Sequence, residues 1–222
     1  MGFMLGRGFD IDNRQDLVFT LLWMAVSFVS ILVHELGHAL VSQKLTRITP
    51  SIKLWAMGGL ADSRTHLTRE HRLKVVWAGP LAGLALFLVV LLMCCLIYGI
   101  EPGARIIGWL IYRPNINILN MEALSILREM NKGVFQLLWA LVFVNFWWSL
   151  VNLLPVFPLD GGQIYACLES SERKVSQVGL ITGAVCAAIG LVAFQSIFIG
   201  ILFGYLAYQN YQRLQQISGG YR

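Results

Sequence analysis

Residues 33–40 read VHELGHAL, and three of these eight side chains titrate. On a helix, residues four apart share a face, so His34 and His38 point the same way and Glu35 stands beside them. The spacing is H-E-x-x-H. It lets two imidazoles bind Zn2+ while the glutamate serves as general base for a water that the metal activates. The stretch lies in an apolar run, where an acid at mid-helix costs on the order of 2–3 kcal/mol to insert. The plain alternative is that the three groups pair with one another near the membrane interface. Counted from Leu17 at about 1.5 Å per residue, His34 lies about 25 Å along the helix. That depth is within the cytoplasmic leaflet, where water can reach it.

Two histidines do not complete the site, because catalytic zinc takes three protein ligands and keeps one position open. His66 and His71 lie among Arg64, Arg69 and Arg72 and read as solvated interface residues. The stronger candidate is Asp160, in NLLPVFPLDGG (152–162). Pro155 and Pro158 break the helix there and Gly161 and Gly162 follow. Irregular backbone at membrane depth persists only where protein buries it or it lines a wet cavity. Asp160 either supplies the third ligand or caps a helix over GGQIYACLE. Glu169 and Glu172 are the other nearby carboxylates. Asn152 stands in the last turn of the preceding span. It serves either catalysis or an interhelical hydrogen bond, a structural job that Asn145 fits better.

The elements that must position these groups are apolar. The 222 residues are 57% hydrophobic and 13% charged, with mean hydropathy +0.65. A soluble domain carries about twice that charged fraction. The expected fold is therefore an all-α polytopic membrane protein. Five spans fit: Leu17 to about Gln43, about Leu73 to Ile100, about Val134 to Leu154, and the stretch from Val178 to about Tyr211 split near Phe194–Ser196 into two short helices. The net charge of +5 reports where the basic loops lie rather than nucleic-acid binding. Lys44, Arg47, Lys53, Arg64, Arg69, Arg72 and Lys74 put residues 44–74 in the cytoplasm and the N-terminus outside. The N-terminal residues show no signal-peptide pattern.

In the first cytoplasmic loop, PSIKLWAMGGLADS (50–63) reads as a short β-hairpin or an ordinary loop. In the outer loop of residues 101–133, NMEALSILREMN (120–131) reads as an interfacial helix capped by Asn120. The cysteines, Cys94, Cys95, Cys167 and Cys186, have no zinc-type spacing and read as buried small hydrophobes.

HELGH at 34–38 and NLLPVFPLDG at 152–161, in this order, resemble the site-2 protease family of intramembrane zinc metalloproteases. The second motif fits that family's N-x-x-P-x-x-x-L-D-G pattern. GGLA at 58–61 and AGPLAG at 78–83 are further matches. Many members carry Asn where this chain has Gly83, which puts one polar contact in doubt. The resemblance covers a three-span catalytic core, about residues 17–165, and the C-terminal helical hairpin at about 176–212 adds little to it; the expectation is a single membrane-embedded domain without a recognisable PDZ or CBS domain.

The resemblance implies one Zn2+ per chain held by His34, His38 and Asp160, with Glu35 as general base. It implies that Asn152 binds the substrate backbone or polarises the scissile carbonyl. Gly58 and Gly59, in the expected hairpin, are candidate substrate-binding positions by strand addition. The expected activity is cleavage of a transmembrane protein substrate near the cytoplasmic leaflet, in a bacterial inner membrane, with no nucleic-acid partner. The alternative is a non-catalytic membrane scaffold with a structural or vestigial zinc site.

Overall fold

Helices dominate the computed structural model, which describes residues 14–48, 52–55, 58–61, 67–112 and 119–219. In chain order the described elements are α1 (Arg14–Thr46), β1 (Ile52–Trp55), β2 (Gly58–Ala61), α2 (Arg69–Tyr98), α3 (Ile100–Tyr112), α4 (Met121–Glu129), α5 (Lys132–Asn152), α6 (Asp160–Leu168), α7 (Glu172–Val192) and α8 (Ile197–Gly219). β1 and β2 pair as a two-stranded sheet.

Local chemistry sets the helix ends. At the end of α1, the Thr46 hydroxyl donates to the Ser42 carbonyl at 2.9 Å and accepts from the Ile48 amide at 3.2 Å. Arg47 then turns with φ 58°. Thr68 precedes α2 and accepts from the His71 amide at 3.3 Å, an N-cap contact. Asn120 caps α4 through the Ala123 amide at 2.8 Å. Ser171 caps α7 through the Lys174 amide at 3.4 Å.

Four described helices are long and apolar enough to cross a membrane: Leu17–Thr46, Arg69–Tyr98, Lys132–Asn152 and Glu172–Val192. They keep large apolar side chains uncovered, among them Met24, Phe28, Leu88, Leu92, Leu96 and Ile181, each more than half exposed. Such a surface suits lipid rather than water. α8 starts apolar but turns polar in its second half, with Gln209, Asn210, Gln212, Arg213, Gln215 and Gln216. The C-terminal helices are also longer than the two short helices expected within 176–212, at 21 and 23 residues. The chain breaks between them at residues 193–196, where Gln195 has φ 48°.

The outer loop expected at 101–133 needs correction, because its first third is the helix α3. Gly99, at φ 94°, ends α2 in a conformation that only glycine adopts freely. Pro102 sits in the first turn of α3, where a missing N–H costs nothing. Ile106, Ile107 and Leu110 then make a fully buried stripe.

The residues group into two compact units. One comprises Met1–Leu36, Leu54–Gly59 and Leu81–Ser149, the other Gly37–Lys53, Leu60–Pro80 and Leu150–Arg222. α1, α2 and α5 each contribute to both. The first unit is built on Phe19, Trp23 and Val26 of α1, Cys94 of α2, the α3 stripe, and Trp139, Ala140 and Val142 of α5. Phe19 stacks on Trp139 with ring centroids 5.8 Å apart. Asn145 donates to the Ser30 hydroxyl at 3.0 Å, the interhelical bond expected of it. The second unit packs Val156, Phe203 and Leu206 together with Val151, Leu154, Leu159 and Ile199.

Candidate metal centre

α1 carries His34, Glu35 and His38 in one unbroken helical turn, and each is less than a tenth exposed. The ring of His38 is fixed at both nitrogens. Its Nδ1 lies 2.8 Å from the carbonyl oxygen of Val75 on α2. A carbonyl only accepts, so this contact puts a proton on Nδ1 and turns Nε2 to the opposite side of the ring. Nε2 in turn lies 3.4 Å from Oδ2 of Asp160. Metal-ligating histidines are commonly oriented in this way, by a backbone carbonyl on the nitrogen that does not bind the metal.

Asp160 reaches this position because the chain turns sharply after α5. Residues 153–159 form turns and bends, and α6 starts at Asp160. The N-cap is Leu159, whose side chain makes no capping bond. Asp160 is therefore the first helical residue and not the cap, which removes the capping alternative for its carboxylate. The two glycines after it are needed for close approach. A Cβ on Gly161 would overlap the Leu153 carbonyl, and one on Gly162 would come within 2.5 Å of the Phe157 nitrogen. The first turn of α6 thus lies against the segment that leads into it, with Asp160 buried at the junction.

The donor set can be tested against zinc on its own chemistry. One ligand atom from each of His34, His38 and Asp160 fits within a mutual separation of 4.8 Å, and all three residues are buried. Two imidazoles and one carboxylate make a three-ligand set that suits zinc with one position left open. The residues therefore fit the group.

Other sequence candidates lie elsewhere. Glu169 accepts from the Ser171 amide at 2.9 Å and pairs with Lys174 at 3.6 Å. The Ser171 amide, chiefly, holds its carboxyl below the usual range. Glu172 is exposed in the first turn of α7. Neither joins the metal-ligating group, and among the described residues His71 does not either. His66 lies outside the described residues. Asn152 is the last residue of α5 and is 7% exposed. Gly58 and Gly59 open β2. The cysteines are free, Cys94 and Cys167 buried and the other two partly so. The Val75 carbonyl was not foreseen, since a backbone acceptor leaves no mark on residue type.

A helical membrane-type chain that gathers two histidines of an H-E-x-x-H turn and a distant aspartate has the features of a membrane metallopeptidase. The sequence profile of peptidase family M50 matches residues 22–194. The chain belongs to this family, that of the site-2 proteases, as the two motifs had indicated. It is 24% identical over 219 residues to the zinc metalloprotease MJ0392 of Methanocaldococcus jannaschii, covering 95% of this chain and 55% of that relative. It is 28% identical over 220 residues to a Synechocystis protein assigned as a zinc metalloprotease, covering 93% of this chain and 50% of that one. The chain thus spans about half the length of these curated relatives. The solved structure of a site-2 protease from Methanocaldococcus jannaschii shares the fold, with a TM-score of 0.59 and 22% identity over 96% of this chain and 86% of that one.

Proposed function

We propose that the chain is a zinc-dependent intramembrane endopeptidase that cleaves a transmembrane protein segment near the cytoplasmic leaflet. The observation that carries this reading is the meeting of His38 and Asp160 from distant parts of the chain, with Glu35 adjacent in sequence to His34, the other histidine ligand. His34, His38 and Asp160 hold one zinc ion per chain. A zinc ion there supplies Lewis-acid polarisation of a carbonyl and makes water acidic enough to lose a proton near neutral pH.

The chain's own residues do the rest. Glu35 takes the proton from the attacking water and passes it to the leaving amine. Asn152 donates a hydrogen bond to the oxygen of the scissile carbonyl as negative charge develops on it. A helical substrate hides its carbonyls in its own hydrogen bonds, so it unwinds locally before attack. The sheet edge containing Gly58 and Gly59 binds the unwound strand by main-chain pairing. The chain works as a single membrane-embedded domain. The basic residues between α1 and α2 face the cytoplasm, and the setting is a bacterial inner membrane.

The test uses purified protein in detergent and a helical transmembrane substrate. Wild type is expected to bind about one zinc, as one three-ligand site requires. Glu35→Gln is expected to keep the metal and lose cleavage by about 10²–10⁴-fold, the usual worth of a general base. Undiminished cleavage by Glu35→Gln contradicts the mechanism. Zinc-loaded wild type that cleaves no member of a broad substrate panel supports the scaffold alternative instead.

A further inference from the structure

Residues 153–159 hold Asp160 in place without the help of a helix or strand, so each of their carbonyls needs a specific partner. Leu154 O accepts from the Val156 amide and Val156 O from the Leu159 amide, at 2.7 and 2.9 Å. Pro158 O accepts from Gln163 Nε2 at 3.1 Å. The Phe157 carbonyl is held from farther away. Asn210, on α8, donates to it from Nδ2 at 2.7 Å across 53 residues of sequence.

The second hydrogen on that Nδ2 goes to the Leu206 carbonyl at 2.8 Å. Both amide hydrogens are therefore in use, and rotation of the side chain would lose both bonds. Asn210 is 1% exposed. One turn later on the same face of α8, the Arg213 guanidinium lies 4.3 Å from the centroid of the Phe157 ring, within cation–π range. α7 makes room for this arrangement at Gly179, where a Cβ would overlap the Asn210 amide.

We propose that Asn210, assisted by Arg213, is a positioning residue for Asp160: it anchors the Phe157 carbonyl three residues upstream and so sets where the carboxylate stands. The C-terminal hairpin then has a role in the metal centre without contributing a ligand. This proposal rests on the reading of Asp160 as a zinc ligand. An apolar side chain of similar shape would fill the volume but leave the Phe157 carbonyl without its donor, so packing alone does not account for an amide at this position.

The experiment measures zinc affinity of the full chain in detergent by competition with a chromophoric chelator. Asn210→Leu keeps the shape and removes both donors, and Asn210→Ala is the companion should leucine prevent folding. Either is expected to weaken zinc binding about 10–100-fold, the usual effect of losing a group that orients a ligand, with helix content unchanged. Arg213→Met is expected to show a smaller loss. In an Asp160→Asn background, Asn210→Leu is expected to cause no further loss, because the residue through which it acts no longer offers a carboxylate.

Wild-type zinc affinity in Asn210→Leu, accompanied only by a lower melting temperature, would show a purely structural pin and overturn the proposal. So would an equal fold-loss in both backgrounds. Wild type that binds no zinc overturns the metal-site reading instead. Hydrogen exchange at the Leu159 amide of metal-free protein then decides the positioning claim on its own. Faster exchange in Asn210→Leu supports the claim, and unchanged exchange refutes it.

Discussion

The two histidines and the aspartate reach the same place by different physical routes. His34 and His38 are set by helical periodicity within a 33-residue helix, so their spacing survives any change that leaves the helix intact. Asp160 follows a stretch of turns, and that stretch is held by groups on α6 and α8: the close approach at Gly161, the Gln163 amide and the Asn210 amide. One half of the site is written locally, and the other is assembled by tertiary contacts. The local half should tolerate remote substitutions that the assembled half does not.

Substitutions can break or sharpen this contrast. The largest effect is expected from Asp160→Ala, which leaves two imidazoles and should lower zinc affinity by more than about 100-fold. A chelator titration that finds wild-type affinity would remove Asp160 from the site. Next comes Gly161→Ala, which forces a methyl group into the Leu153 carbonyl. It should lower zinc content and destabilise the fold by about 1–3 kcal/mol, read by metal analysis and melting in detergent. Its counterpart on the local half, Leu36→Ala, lies between the histidines on a side chain 38% exposed. It should leave zinc affinity unchanged and stability within about 0.5 kcal/mol.

Asn145→Leu removes the bond to Ser30 and should cost about 0.6 kcal/mol, a typical value between membrane helices. Because that bond joins α1 to α5 and involves none of the three ligands, zinc affinity should not move. The smallest effect is at Glu169, whose carboxylate is preferred in the folded state. Its contribution is present at neutral pH and is lost as pH falls through the lowered folded-state pKa. NMR titration should place that carboxyl below its usual range, and Glu169→Gln should leave zinc binding intact.

The same contrast explains what could be read from the sequence. HELGH was legible because a helix turns spacing directly into geometry. Asp160 was legible because Pro155, Pro158 and the Gly161–Gly162 pair break an apolar run in a way that lipid does not tolerate without cause. The break between α7 and α8 showed at Phe194–Ser196, although the helix lengths did not, since polar ends such as Glu172 and the glutamines of α8 fall outside an apolar window.

α3 was hidden in the 101–133 loop. Pro102, Gly103 and Gly108 lower helix propensity, and only the burial of Ile106, Ile107 and Leu110 reveals why it forms. The Val75 carbonyl and the Asn210 amide were also hidden. A backbone acceptor has no residue code, and one asparagine among the polar residues of α8 says nothing about a carbonyl 53 positions away.

His34, His38 and Asp160 are proposed to hold one zinc ion. X-ray absorption at the zinc edge on purified protein tests this most directly. A first shell of nitrogen and oxygen with scattering from two imidazoles, reduced in oxygen content by Asp160→Ala, is the predicted result. Sulfur in the first shell, a third imidazole, or an Asp160→Ala spectrum identical to wild type would contradict it.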